Sequence, residues 1–167
     1  MDQTTRDRET DAFLDDDEES SQACKYLLFH TDDEVYGLNI ASVVEIIEVQ
    51  RITEVPDMPE YVKGVINLRG RVIPVVDLRL RFGMPERAHD DRTCIIIAKI
   101  QESSVGFIVD TVAEVQDIQD ADIEPPPPFR TGKGRDQYIF GLGKVGDRVR
   151  ILIDAKKLVT ERQLATK

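Results

Sequence analysis

VKGVINLRGRVIPVVDLRLRF, residues Val62 to Phe82, consists of two apolar runs divided by one tight turn. Val65 to Leu68 and Arg71 to Val76 are rich in β-branched residues that suit strands, and Arg69-Gly70 is the two-residue connection of a hairpin. Gly64 opens the first run. Asp77 is placed to cap a short helix in which Leu78 and Phe82 fall on one face, with Arg79 and Arg81 towards solvent. Pro74 cannot donate to a ladder, so it belongs at an edge or seam.

The same punctuation recurs. A shift of 77 lays Gly64 on Gly141, Arg71 on Arg148 and Asp77 on Asp154; a shift of 69 lays Leu27 on Ile96, Gly37 on Gly106, Val43 on Val112 and Glu45 on Glu114. The chain is therefore two related modules, about 25 to 82 and 94 to 159, within a folded region of 25 to 160. The change of shift puts eight extra residues between Glu114 and Gly141, and Asp120 to Pro128, with its four prolines, reads as the insertion.

Outside this body lie two tails. Residues 1 to 24 hold nine acids and two arginines, a net −7 of the formal −10, leaving −3 for the other 143 residues. With Asp15 to Glu19 an unbroken acidic run, this leader buries too little apolar surface to fold and reads as a disordered, solubilising segment, dispensable for folding. Residues 161 to 167 form a short C-terminal tail. No stretch approaches the ~20 apolar residues of a membrane span, and the N-terminus lacks an export signal, which predicts a cytoplasmic protein without direct membrane insertion. Cys24 and Cys94 form no CxxC pair and read as reduced thiols.

Within a module, Lys25 to His30 and Val35 to Ile40 are strands about the Thr31 to Glu34 turn. Ile40, Val43, Val44 and Ile47 then fall at i, i+3, i+4 and i+7, which predicts a helical corner, and Val49 to Val55 can return as a strand. The second copy repeats the order: Cys94 to Ile100, Val105 to Val109, a helical or bent corner over Asp110 to Val115, then strands at Tyr138 to Leu142 and Arg148 to Ile153. Five short strands with one-turn corners in under 60 residues suit a small antiparallel barrel. Runs such as Ile95-Ile96-Ile97-Ala98 are apolar on successive residues, so both faces are buried and the two barrels share a core.

Little in the chain suggests catalysis. Gly141, Gly143 and Gly146 match GxGxxG, but Asp147-Arg148 leads into a strand, where dinucleotide binding needs a helix N-terminus; packing and turn geometry account for Gly64, Gly70, Gly141 and Gly146. His30 and His89 have no metal-ligand spacing, so neither metal nor cofactor is expected. The arginines at 69, 71, 79 and 81 are a local cluster in an acidic chain without tryptophan, which disfavours nucleic acid. A nucleotide-dependent enzyme and a nucleic-acid-binding barrel are the alternatives to an interaction protein.

YGLNIASVVEI, VKGVINLRGRVIPVVDLR, VGFIVDTVAEV and GLGKVGDRVRILID together resemble the CheW chemotaxis coupling proteins, over nearly all of residues 25 to 159. The resemblance implies a mostly all-β fold of two intertwined five-stranded SH3-like barrels with a shared hydrophobic core and short helical corners. It implies a non-catalytic adaptor linking the cytoplasmic tips of methyl-accepting chemoreceptors to the regulatory domain of a CheA-type histidine kinase, recruited to membrane-bound receptor arrays. By motif, Val43, Glu45, Arg69 and Val115 would contact the receptor, with the Arg69 fork projecting free from the hairpin tip. Ile40 and Phe129 would contact the kinase. Glu124 departs from the basic residue common there in the family.

Overall fold

The structure, a computed structural model, describes residues 24 to 126 and 137 to 159. Nearly all of the acidic leader, the second half of the proline run, Phe129 and the C-terminal tail lie outside the described residues.

Eleven strands and two short helices follow in order: β1 Lys25–Thr31, β2 Glu34–Asn39, β3 Val43–Glu48, β4 Val62–Leu68, β5 Arg71–Asp77, α1 Leu78–Arg81, β6 Cys94–Ile100, β7 Ser103–Val109, β8 Thr111–Asp117, β9 Ile123–Glu124, β10 Ile139–Val145, β11 Arg148–Ile153 and α2 Ala155–Val159. They form two curled sheets, β8-β1-β2-β11-β10-β9 and β3-β6-β7-β5-β4. The first holds barrel 2 and the second barrel 1, numbered by their C-terminal hairpins. Each sheet takes strands from both repeats: the β1–β2 hairpin of the first copy sits against β8 and β11 of the second, and β6–β7 sits against β3 and β5 of the first. The barrels are thus intertwined.

The repeat extends to ladder register. Val75 and Val76 pair in parallel with Gly106 and Phe107, while their counterparts Leu152 and Ile153 pair with Gly37 and Leu38. Asp77 and Asp154 each donate their N–H to the carbonyl of a tyrosine, Tyr61 and Tyr138, and each caps its helix by accepting from the N–H two residues on, at 2.9 and 3.0 Å. Pro74 stands where expected. Its partner Val65 exchanges both backbone bonds with Thr53 on the other side, so Pro74 needs no donor towards β4, and the β5–β7 ladder begins only at Val75.

Alternation along each strand explains the apolar runs. On β6, Ile95 and Ile97 point into barrel 1 with Ile66, Ile73, Val75 and Ile108, while Ile96 and Ala98 join Phe29, Tyr36, Val76, Phe107 and Leu158 in the central core between the sheets. Tyr26, Leu28, Ile118 and Leu152 fill barrel 2.

Four local expectations are corrected. Residues 40 to 47 are not a helix: Ile40–Ser42 is one 3-10 turn and Val43–Glu48 is the edge strand β3. Apolar residues on both faces hid the period of two, and the β-branched content was the better signal. Likewise 111 to 117 is a strand, not a corner. Of residues 49 to 55, only Thr53 makes a bridge, to Val65. Nor is Asp120 to Pro128 wholly an insertion, because Ile123–Glu124 pairs with Leu142 and Gly143 as Thr53 pairs with Val65 in the first copy.

A fifth correction concerns α1, whose arginines do not face water. The Arg81 guanidinium lies 4.0 Å from the Tyr61 ring centroid and 4.8 Å from that of Tyr138, and its Nε donates to the Leu158 carbonyl at 3.0 Å. Tyr61 and Tyr138 are repeat counterparts, as are Arg81 and Leu158, so Arg81 sits on the local two-fold between the modules. Arg79, with 11% of its side chain exposed, is fastened to Asp110 at 2.9 Å and to Asp32 at 3.2 Å.

Candidate interaction surfaces

Edge strand β3 meets the β4–β5 hairpin tip through side chains. Arg69 Nη1 and Nη2 donate to Glu45 Oε2 and Oε1 at 2.9 and 2.7 Å, a two-pronged pair. Gln50 Nε2 donates to the Asn67 carbonyl at 3.0 Å, and the Thr53–Val65 bridge lies just beyond. These links draw barrel 1 together at its open side. The hairpin turn has φ +53° at Arg69 and +85° at Gly70, the left-handed pair of a type I′ connection, steadied by Asn67 Oδ1 accepting the Gly70 N–H at 2.9 Å. The arginine fork is therefore engaged rather than free. The second copy has Gly146-Asp147 at the tip, and no cation there faces Glu114.

Residues paired across a ladder share a face, which sorts the expected contacts. Glu45 lies opposite Ile97 and faces the mouth of barrel 1; Val43 lies opposite Ala98 and packs on the central core. Val115 lies opposite Leu27 on edge strand β8 of the other sheet, on the side of the central core, yet is 49% exposed. Its repeat counterpart, Ile46, lies opposite Ile96 and is 41% exposed. Ile46 and Val115 are thus apolar margins of the shared core, one on each edge strand. Ile46 was missed in the sequence, although the shift of 69 that marks the repeat leads from Val115 directly to it. The structure brings Glu45 and Arg69 together, sets Val43 on the opposite side of the same strand, and keeps Val115 on the other sheet.

Ile40 opens the 3-10 turn, whose start is capped by Asn39 Oδ1 accepting the Ala41 N–H at 2.9 Å. Half-buried, it packs against the central core. Beside this turn a shallow cavity of about 230 Å³ is lined by Leu38, Asn39, Ser42, Phe140 and Asp154. Phe140, 38% exposed, stacks on Tyr26 at its rim. Glu124, on β9, pairs with Lys144 at 3.1 Å.

A second polar constellation joins α1 to the loops of both repeats. Asp110 accepts from Arg79 Nε and Nη2, Arg87 Nη1 and the Asp32 N–H, at 2.8 to 3.3 Å. Burial pushes its carboxyl up, but the Arg79 and Asp32 hydrogen bonds and the two guanidinium charges outweigh that and hold it below the ordinary carboxylate range. Asp77 goes the other way: burial raises it, and the backbone N–H groups of Leu80 and Arg79 recover only part.

Gly141 and Gly143 lie within β10, where an added Cβ would stand 2.6 Å from Ile123 and 3.0 Å from Ile118, and Gly146 makes the turn into β11. They are packing and turn positions, with no helix N-terminus beyond them. Among the described residues no group of His, Cys, Asp or Glu is set to hold a metal, and no helix is long and apolar enough to cross a membrane.

Two interlocked SH3-like barrels with a shared core, carrying apolar margins and an engaged ion pair, define a protein-binding scaffold module. The family model of the CheW-like domain matches residues 25 to 163, and the chain belongs to that family of non-catalytic chemotaxis adaptors. Among its relatives, "Chemotaxis protein CheW" of Klebsiella aerogenes is 34% identical over 141 residues, covering 84% of each chain. That of Rhizobium meliloti is 40% identical over 128 residues, 77% of this chain and 82% of its own. The crystal structure of the scaffolding protein TtCheW from Thermoanaerobacter tengcongensis superposes with a TM-score of 0.76 at 38% identity, covering 84% of this chain and 95% of that one.

Proposed function

We propose that the protein couples chemoreceptors to a CheA-type kinase by presenting two kinds of surface. The receptor surface comprises the apolar margins Ile46 and Val115, with Val43, bordered on β3 by the Glu45–Arg69 pair. The observation that carries this is the exposure of Ile46 and Val115 on core-facing sides of edge strands, where a monomer alone gains nothing from an apolar residue in water. A helical receptor tip offers an apolar stripe for these margins and polar groups for the ion pair.

The kinase surface is the barrel end around Ile40, against the kinase's regulatory domain, and Phe129 adds a second contact. Glu124 already answers Lys144, which makes this second face different in charge from one built on a basic residue. Recruitment to membrane-bound receptor arrays follows from these two contacts, with the protein itself cytoplasmic. Co-elution of the full chain with a CheA regulatory domain, and sedimentation with receptor-containing membranes, test the two halves separately. Neither association would occur if the coupling role were wrong.

A further inference from the structure

The two barrels share a register but not an interior. Barrel 1 holds Ile47, Ile66 and Ile73 on its inner face; the positions that repeat them in barrel 2 are Gln116, Gly143 and Arg150. Gln116 lies opposite Tyr26 and Arg150 opposite Gly143, which confirms that both belong to the face carrying Tyr26, Leu28 and Leu152. Arg150 Nε and Gln116 Oε1 are buried without hydrogen-bond partners. Two residues along β11 on the same face, Arg148 is exposed, and neither arginine is paired to a described residue. Ile73 shows that the fold does not ask for a cation here. A guanidinium is charged at all ordinary pH, and a buried N–H left without an acceptor is unfavourable, so an anion at this mouth would supply what Arg150 lacks.

We infer that the mouth of barrel 2 binds a carboxylate-rich extended segment, and that its occupant is the chain's own acidic run Asp15 to Glu19. The described chain begins beside the site. The Ile118 N–H donates to the Cys24 carbonyl at 2.8 Å, the Ile118 side chain touches Gly143, and Gly143 is the ladder partner of Arg150. Glu19 precedes Cys24 by five positions, a reach of roughly 17 Å, enough to cross three such contacts. Spacing agrees as well: Arg148 and Arg150 stand about 7 Å apart on one face, the separation of Asp15, Asp17 and Glu19 along an extended strand. The amide of Gln116 can turn to donate to the same carboxylates.

The test is NMR on the full chain with labelled arginine side chains. Wild type is compared with a full-length variant in which Asp15, Asp16, Asp17, Glu18 and Glu19 are replaced by Asn, Asn, Asn, Gln and Gln. The Arg150 Nε–H signal should move on neutralisation, and move in the same direction for wild type in about 0.5 M salt, while the Arg81 signal stays in place. An Arg150 signal indifferent to leader charge overturns the proposal. Arg150→Ile, which gives barrel 2 the residue of barrel 1, should remain folded and shift the amide signals of residues 15 to 19 to their high-salt positions; unchanged leader signals in that variant also overturn it. A peptide of residues 9 to 22 added to the neutralised variant should restore the wild-type Arg150 signal, with affinity falling at least tenfold between about 0.05 and 0.3 M salt. Should the peptide bind equally well to wild type, the mouth is vacant in the intact chain and serves a partner's acidic segment, and the leader is not its occupant.

Discussion

Arg69 and Glu45, twenty-four residues apart, are joined by two parallel hydrogen bonds of 2.9 and 2.7 Å that tie a hairpin tip to an edge strand. The arginine side chain remains 65% exposed, so the pair contributes at most ~1 kcal/mol to stability. It also holds Arg69 at φ +53°, a region costing a non-glycine residue roughly 1 kcal/mol. Its value is positional.

Arg69→Glu places two carboxylates face to face. The fold should survive with a melting temperature within a few degrees of wild type and kinase binding retained, while receptor recruitment falls. The exchanged pair Arg69→Glu with Glu45→Arg separates two roles. Recovery of recruitment identifies the pair as a positioning device, whereas persistent loss means the receptor reads the guanidinium itself.

Ile40→Glu should prevent co-elution with the kinase regulatory domain, by at least ~2 kcal/mol, since an interface anchor would become an unpaired charge. Ile40 also packs on the central core, so the same change should lower the melting temperature. Ile40→Ala, which removes contact without adding charge, should keep the circular dichroism of wild type and still weaken kinase binding. Full kinase binding by Ile40→Ala would confine Ile40 to the core.

Arg79→Met leaves the Asp110 carboxylate largely buried beside only the more exposed Arg87, and should cost about 3 kcal/mol in urea unfolding at pH 7. The sign with pH follows from the lowered folded value. Asp110 contributes stability above its unfolded pKa, near 3.8, and loses it as the pH falls through the lower folded value. Arg79→Met should therefore narrow its deficit against wild type below about pH 3.8; a deficit constant from pH 7 to pH 2 would remove the ion pair from the account. Asp77 has the opposite sign, its folded value being raised, so its contribution is present in acid and lost as the pH rises. Asp77→Asn keeps an acceptor for the Arg79 N–H and should be neutral or stabilising at pH 7, by up to ~1 kcal/mol.

Gly64→Ala should be more damaging than Gly141→Ala, although the two positions are counterparts. At Gly64 the φ is +144° and a Cβ would stand 2.1 Å from the Thr53 carbonyl oxygen, so the Thr53–Val65 bridge must break. At Gly141 the nearest atom is a methyl of Ile123 at 2.6 Å, the end of a side chain that can turn aside. Expected losses are about 3 and about 1 kcal/mol, read from chemical denaturation. Equal losses would show that the Thr53 contact carries no special weight.

Local and repeated features were legible in the sequence. The Arg69-Gly70 turn, the Asp77 and Asp154 caps, the seam at Pro74 and the two-copy order all rest on neighbours within a few residues or on an identity repeated at a fixed shift, and the CheW family follows from the motifs that contain them. What only the tertiary structure decided involves partners chosen across the chain. Nothing in the β1–β2 hairpin states that it will pair with β8 and β11 of the other copy, because a strand presents the same backbone donors and acceptors to any edge. Arg81 reads as a solvated helix residue until the second copy brings Tyr138 and the Leu158 carbonyl against it. Arg69 reads as free until β3, taken for a helix, is laid down as the strand that carries Glu45 to it. A side chain's environment is set by whichever element closes over it, and in a duplicated fold with a shared core that element belongs as often to the other copy as to its own.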